Sequence, residues 1–113
     1  MNEQQDDERA AAYLNDILDQ AAEAGVDTIE LERAPEGLEI CFVRAGSGSG
    51  TVLKDRELES EIVQLIVRRA GLENQASGTM NWNLRGRDCA IGVEEYDSFG
   101  ESSFRLKLGK PGD

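Results

Sequence analysis

The sequence predicts an α+β domain: an antiparallel sheet of five to six strands with two helices packed on one face. Two stretches repeat their apolar residues at helical spacing, and several others alternate apolar and polar residues as strands do. The predicted order along the chain is α-β-β-β-α-β-β-β. Every close pair of predicted strands is joined by a turn too short for a parallel crossover, so these strands should pair antiparallel.

The first helix is predicted over residues 8–24. Its apolar stripe has the i, i+3, i+4, i+7 spacing of one helical face and consists of Leu14, Ile17, Leu18 and Ala21. Gly25 follows the stripe and should end the helix, because glycine adopts the left-handed conformation at low cost. Residues 1–7 are acidic and contain no apolar anchor, which predicts a disordered N-terminal segment.

A hairpin should follow this helix, with strands near 28–32 and 38–44 and a turn at 34–37. The glycine- and serine-rich run at 45–50 predicts a loop, followed by a short strand over 51–53. This run matches neither nucleotide-binding glycine motif. Thr51 stands where a P-loop needs lysine and where a dinucleotide-binding loop needs its third glycine.

Asp55 is the predicted N-cap of the second helix and Gly71 its predicted stop. Between them, one helical face carries Leu58, Ile62, Leu65 and Ile66. Three further alternating segments predict the last strands, with Trp82 as a core anchor and turns at 85–88 and 97–100. The predicted organisation is one domain over 8–108 and a polar tail over 109–113.

The chain is strongly acidic: 23 Asp and Glu oppose 12 Lys and Arg among 113 residues, a formal charge of −11. Such a charge repels nucleic acid and anionic lipid, so neither is an expected partner. No apolar run is long enough to span a bilayer, which argues against membrane insertion. The polar, acidic start does not resemble a signal peptide, so we expect a cytoplasmic protein.

Little in the sequence suggests chemistry. The chain lacks histidine, and its two cysteines cannot form a zinc site alone, so no metal or cofactor is expected. In a reducing compartment both cysteines are predicted to be small apolar fillers, with a disulfide as the alternative. Strand parity places Cys89 on the buried face and Cys41 on the opposite one.

Paired acids such as Glu94 and Glu95, or Glu30 and Glu32, could in principle perform acid–base chemistry. Adjacent strand residues point to opposite faces, however, and the pair Glu30 and Glu32 should lie on the exposed side. We therefore expect no enzyme, and a small-ligand sensor or enzyme is the remaining alternative. Arg85, Arg87 and Arg105 could form a basic patch that binds an acidic partner, or could be solvated strand residues.

The order of elements, with Ile17, Leu18, Ala21, Gly25 and Glu32 in register, resembles the PAS-like N-terminal domain of type II secretion and type IV pilus assembly ATPases. Residues 38–46 parallel that family's second strand pattern, and the Gly-Glu pair at 100–101 its last turn. The basic positions of the family pattern fall here on Cys41, Val43 and Gly92. The sequence contains no Walker motif, so we expect no motor domain.

This resemblance implies a PAS-like fold and a protein-interaction role, accessory or adaptor, in a secretion or pilus system. It implies a protein partner that docks on an edge strand or on the outward face of the first helix. Guanidinium groups are needed for strong phosphate contacts, so nucleotide sensing is not expected. A small acidic chaperone of the type III secretion kind, which would bind an effector as a dimer, is the alternative.

Overall fold

The computed structural model describes residues 3–44, 47–98 and 100–108. It contains two helices, α1 (Glu3–Ala24) and α2 (Arg56–Ala70). Its six strands are β1 (Thr28–Ala34), β2 (Gly37–Arg44), β3 (Ser47–Leu53), β4 (Ser77–Leu84), β5 (Arg87–Ser98) and β6 (Glu101–Leu108). The predicted tail 109–113 lies outside the described residues, as do Ala45, Gly46 and Phe99 of the predicted loop and turn.

All six strands form one sheet with the order β3-β2-β1-β6-β5-β4, and every neighbouring pair is antiparallel. The first and last strands of the chain, β1 and β6, therefore pair at the centre, while β3 and β4 form the two edges. The predicted α+β class, the antiparallel sheet and the order of elements are confirmed.

Both helices pack on one face of this sheet. Their buried side chains belong to one apolar cluster with strand residues that share a single face by register, among them Ile29, Ile40, Trp82, Ile91 and Leu106. Trp82 is only 6% exposed, which confirms it as a core anchor. The opposite side of the sheet, here called the open face, is not covered by either helix.

The ends of the helices follow the predicted signals. The Asp55 side chain accepts the Leu58 N–H at 3.1 Å, which caps the first turn of α2. Gly71 adopts the left-handed conformation, with φ 68°, and its N–H bonds back to the last turn of the helix. Arg68 and Arg69 lie in that turn, where the helix dipole favours positive charge.

Two predicted boundaries change. Helix α1 begins at Glu3 rather than at Glu8, because adding further turns to a packed helix costs little. The loop predicted over 45–50 is wrong for its last four residues, since β3 begins at Ser47. A Cβ atom on Gly48 would lie 2.9 Å from Cys41 Sγ, and one on Gly50 would lie 2.8 Å from the Ile40 carbonyl oxygen. The glycines therefore let β3 approach β2 closely.

Neither helix in the described part of the chain combines the length and the apolar character needed to cross a membrane.

Candidate functional site

The edge strand β3 carries free backbone groups on its outer side, as the hydrogen-bond pattern of the sheet shows. In an antiparallel sheet, consecutive residues direct their N–H and C=O groups alternately to the two neighbouring strands. The Leu108 N–H donates to the Asp27 carbonyl at 2.9 Å, so Asp27 faces β6. Ile29 and Leu31, two and four residues further on, therefore direct their backbone groups to β6 as well. Thr28, Glu30 and Glu32 consequently direct their backbone groups to β2.

The same alternation carries across β2 to the edge. Cys41 is the register partner of Glu30 and bonds to β1, which leaves Ile40 and Phe42 to bond to β3. The register partners of these two residues are Thr51 and Ser49. The backbone groups of Gly48, Gly50 and Val52 therefore point away from β2, toward the side on which no described strand lies.

Edge β3 also lacks the features that usually protect an edge from pairing. Its sequence, SGSGTVL, contains no charged residue and no proline, although charged residues make up 31% of the chain. Residues 48–52 are all exposed, and Val52 is the one large apolar side chain found exposed among the described residues. This edge is open to an extended segment that would continue the sheet.

The opposite edge, β4, presents polar side chains instead. The Glu95 N–H donates to the Ala76 carbonyl at 2.7 Å, which by the same alternation turns outward the backbone of Ser77, Thr79, Asn81 and Asn83. The other side of β4 lies against the helices: Trp82 Nε1 donates to Asn15 Oδ1 at 3.0 Å, and Arg69 lies 5.0 Å from the Trp82 ring centroid.

The centre of the open face is held by ion pairs. Arg105 donates from Nε to Glu30 at 3.1 Å and from Nη1 to Glu94 at 2.8 Å, and its guanidinium lies 4.8 Å from the Tyr96 ring centroid. The Tyr96 hydroxyl donates to Glu32 at 3.3 Å. Burial, followed by the charges of Glu32 and Glu30, raises the pKa of Tyr96 to about 12.

The three arginines proposed as a basic patch do not converge. Arg85 pairs with Asp19 and Glu23 of α1, on the side of the sheet that the helices cover. Arg105 lies on the open face with its own carboxylate partners, and Arg87 is exposed at the start of β5. Binding of an acidic partner at these residues stays a prediction, but two of the three are already neutralised by neighbouring carboxylates.

The two cysteines occupy the faces that strand parity predicts. Cys89 packs against the core cluster, whereas Cys41 is paired with Glu30 and Gly50 on the open face. Both thiols are free and partly exposed.

The adjacent acids Glu94 and Glu95 also lie on opposite faces of the sheet. Glu94 is bound to Arg105 on the open face, while Glu95 lies opposite Phe104 on the other face.

A buried carboxylate that the sequence predictions did not include is Glu59 in the first turns of α2. It is fully buried, and each of its oxygens accepts from an arginine at 2.8 Å: Arg33 of β1 and Arg56 of α2. Arg56 also donates to the carbonyls of Ala34 and Pro35, which ties the β1–β2 turn to the helix. The spacing of Glu59 from Ile62, at i+3 on the apolar face, is a signal that could have identified it.

A partly open cavity of about 880 Å³ lies beside this cluster and is lined by Arg33, Arg56 and Ser60 together with Glu32, Glu39 and Glu101. Within residues 3–44, 47–98 and 100–108 no group of three metal-ligating side chains is placed to hold an ion. The exposed edge β3, with its outward backbone groups, is the candidate binding surface.

No protein-family model matches this sequence, and no curated protein matches it at a significant level.

Proposed function

We propose that this chain is a non-catalytic protein-interaction domain that accepts an extended segment of a partner protein along β3. The observation that carries the proposal is the outward-pointing backbone of Gly48, Gly50 and Val52 on an exposed, uncharged edge. Main-chain hydrogen bonds to such an edge supply affinity, and side-chain contacts on alternate positions supply selectivity.

Edge β3 suits this role better than edge β4. Two of its three outward residues on the open face are glycines, so no side chain of theirs shields the free backbone groups. The corresponding residues of β4, such as Asn81 and Asn83, carry side chains that compete for backbone partners and for space.

A non-catalytic role is also favoured by the contacts of the acids on the open face. Glu30 and Glu94 are both bound by the Arg105 guanidinium, at 3.1 and 2.8 Å, so their carboxylates are already occupied by an ion pair within the domain. A general acid or base instead must lie within hydrogen-bond reach of a substrate proton.

The biological setting we propose is the cytoplasmic side of a secretion or pilus system, in an accessory or adaptor role. Its support is the resemblance of the helix α1 pattern to the PAS-like N-terminal domain of secretion and pilus ATPases, together with the order of elements. In that setting the domain would bind a component of the assembly rather than hydrolyse nucleotide.

An affinity purification with three forms of the tagged full chain tests this proposal. Val52→Pro removes an outward N–H of β3 while sparing the hydrogen bonds to β2, and Asn81→Pro makes the same change at edge β4. Wild type and Asn81→Pro should both recover a secretion or pilus component from a lysate of the source organism, and Val52→Pro should lose it.

Two results would contradict the proposal. Recovery of no secretion or pilus component by the wild type would remove the proposed setting. Recovery that survives Val52→Pro but fails with Asn81→Pro would move the interaction to β4. Circular dichroism and urea denaturation of each variant establish that the domain is folded before binding is compared.

A further inference from the structure

We infer that the segment added at β3 is basic and alternates cationic with apolar side chains. This inference rests on the proposed function and specifies the partner's chemistry. It follows from what each face of the sheet offers to a strand placed beside β3, because alternate side chains of that strand fall on the open face and on the helix side.

On the open face, the two glycines of β3 place no side chain of their own between the added strand and β2, although Cys41 Sγ lies close to Gly48. Gly48 and Gly50 carry no side chain over Val43 and Cys41, their register partners. Neighbouring strands lie about 4.8 Å apart, so a residue of the added strand would stand roughly 10 Å from β2. Long side chains such as arginine can cross this distance, whereas short ones cannot.

An acidic group lies diagonal to Gly50 on β2. Glu39 is the register partner of Val52 on β2, it is exposed, and it forms no ion pair within the described residues. Its partner on β1 is Glu32, and like charges directly opposite each other on a sheet repel. A cation placed over Gly50 would relieve this repulsion and would pair with Glu39 diagonally.

The helix side of β3 favours the opposite character. Ser49 is paired there with Phe42, which is only partly buried, and Leu53 is likewise partly buried at the end of the strand. Apolar residues of an added strand would cover these side chains. The two faces together favour an added strand whose side chains alternate, with arginine or lysine on the open face and aliphatic residues on the helix side.

A second copy of this chain fits the edge poorly. Each copy carries a formal charge of −11, and β3 itself has no cation to place opposite Glu39. Association of two copies would bring like charges together, while a basic segment is attracted by the same field.

Isothermal titration with synthetic peptides tests the inference. The main probe is a blocked peptide that alternates arginine with valine and matches the seven residues of β3 in length. One control has the same residues in two blocks, and a second replaces arginine with threonine. The alternating basic peptide should bind about tenfold or more tightly than either control, because only it places every cation on one face.

Variants of the full chain locate the site. Val52→Pro should abolish binding of the alternating basic peptide, and Asn81→Pro should leave it unchanged. Glu39→Gln should weaken binding about two- to fivefold, the size expected for one exposed ion pair. Glu73→Gln makes the same change of charge in the exposed loop beyond α2, next to the opposite edge, and should have no effect.

The outcomes separate the inference from the proposed function. Equal binding of the threonine and arginine peptides, both lost in Val52→Pro, would overturn the basic partner while strand addition stands. Equal binding of the alternating and block peptides, or binding unaffected by Val52→Pro, would show charge attraction alone and overturn the inference. Failure of every peptide would also overturn it, whereas the affinity purification decides the proposed function separately.

Discussion

At the scale of single residues, Glu59 is the side chain whose removal should cost most stability among the charged residues. Glu59→Ala would leave Arg33 and Arg56 without their shared carboxylate and would open the contact between the β1–β2 turn and α2. Breaking a buried ion pair costs about 3–5 kcal/mol, but these arginines can turn to water, so we expect about 1–3 kcal/mol. Urea denaturation measures this loss.

The matched control for Glu59 is Glu57→Ala, which removes an exposed carboxylate from the same first turn of α2. Its effect should stay within about 0.5 kcal/mol, as for most surface substitutions. Equal losses for the two variants would mean that the buried pairing of Glu59 contributes nothing beyond an ordinary helix position.

Tyr96 should make stability depend on pH in the alkaline range. Its pKa in the folded chain is raised from the ordinary 10 to about 12, chiefly by burial, so the fold favours the neutral phenol. Below pH 10 that contribution is fully present, because the phenol is neutral in both states. Between pH 10 and 12 the unfolded chain ionises first, and the contribution is lost as the pH rises.

The test compares wild type with Tyr96→Phe by urea denaturation below pH 10 and at about pH 11. The free energy of unfolding should fall more steeply with pH in the wild type, since phenylalanine cannot ionise. The burial of Tyr13 also raises the pKa of that phenol, and this contribution is common to both proteins. Parallel pH profiles for the two proteins would contradict the role assigned to Tyr96.

At the scale of elements, the packing of α2 on β4 depends on Gly78. A Cβ atom at this position would lie 2.0 Å from the Ala70 carbonyl oxygen, which belongs to the backbone at the end of α2 and cannot turn aside. Gly78→Ala should therefore push the helix end from the edge strand and cost about 1–3 kcal/mol, as overpacking does. Thermal or urea denaturation measures the loss.

Gly92→Ala is the matched control within the same sheet. An added Cβ there would make only ordinary contacts, 3.8 Å from Lys107 Cβ and 3.9 Å from the Lys107 carbonyl oxygen. It should be close to neutral. A comparable loss for Gly92→Ala would trace the effect to glycine loss in strands generally, not to the approach of α2.

The elements that sequence could predict are those fixed by local signals. The stripe from Leu14 to Ala21, the Asp55 cap and the Gly71 stop each act within a turn or two of the chain, so their positions follow from spacing alone. The class and order of the elements followed from such signals.

What sequence did not predict depends on contacts between distant segments. Strand β3 begins at Ser47 because Gly48 and Gly50 can approach β2 closely. From composition alone, the same glycine- and serine-rich run predicts a flexible loop. Glu59 is buried because Arg33 reaches it from β1, 26 residues away. The position of β3 at an edge likewise depends on the order of strands in the sheet, which the local sequence pattern does not give.

At the scale of the whole molecule, the net charge and the open edge at β3 have opposite effects on self-association. An unprotected, uncharged edge strand favours pairing between copies, whereas a formal charge of −11 on a chain with a radius of gyration of 13.4 Å opposes it. Because β3 offers no cation to a second copy, repulsion should prevail, and the protein should be a monomer of 12.4 kDa at micromolar concentration.

Light scattering on wild type and Val52→Pro, at low salt and at about 0.15 M salt, measures whether two copies associate. Salt at that level screens charges beyond about 8 Å, so a dimer held apart only by long-range repulsion would form there. A monomer in both conditions means that the edge is left for a different partner. A wild-type dimer that Val52→Pro dissociates would show that a second copy occupies β3, and a dimer insensitive to that change would favour the effector-chaperone alternative.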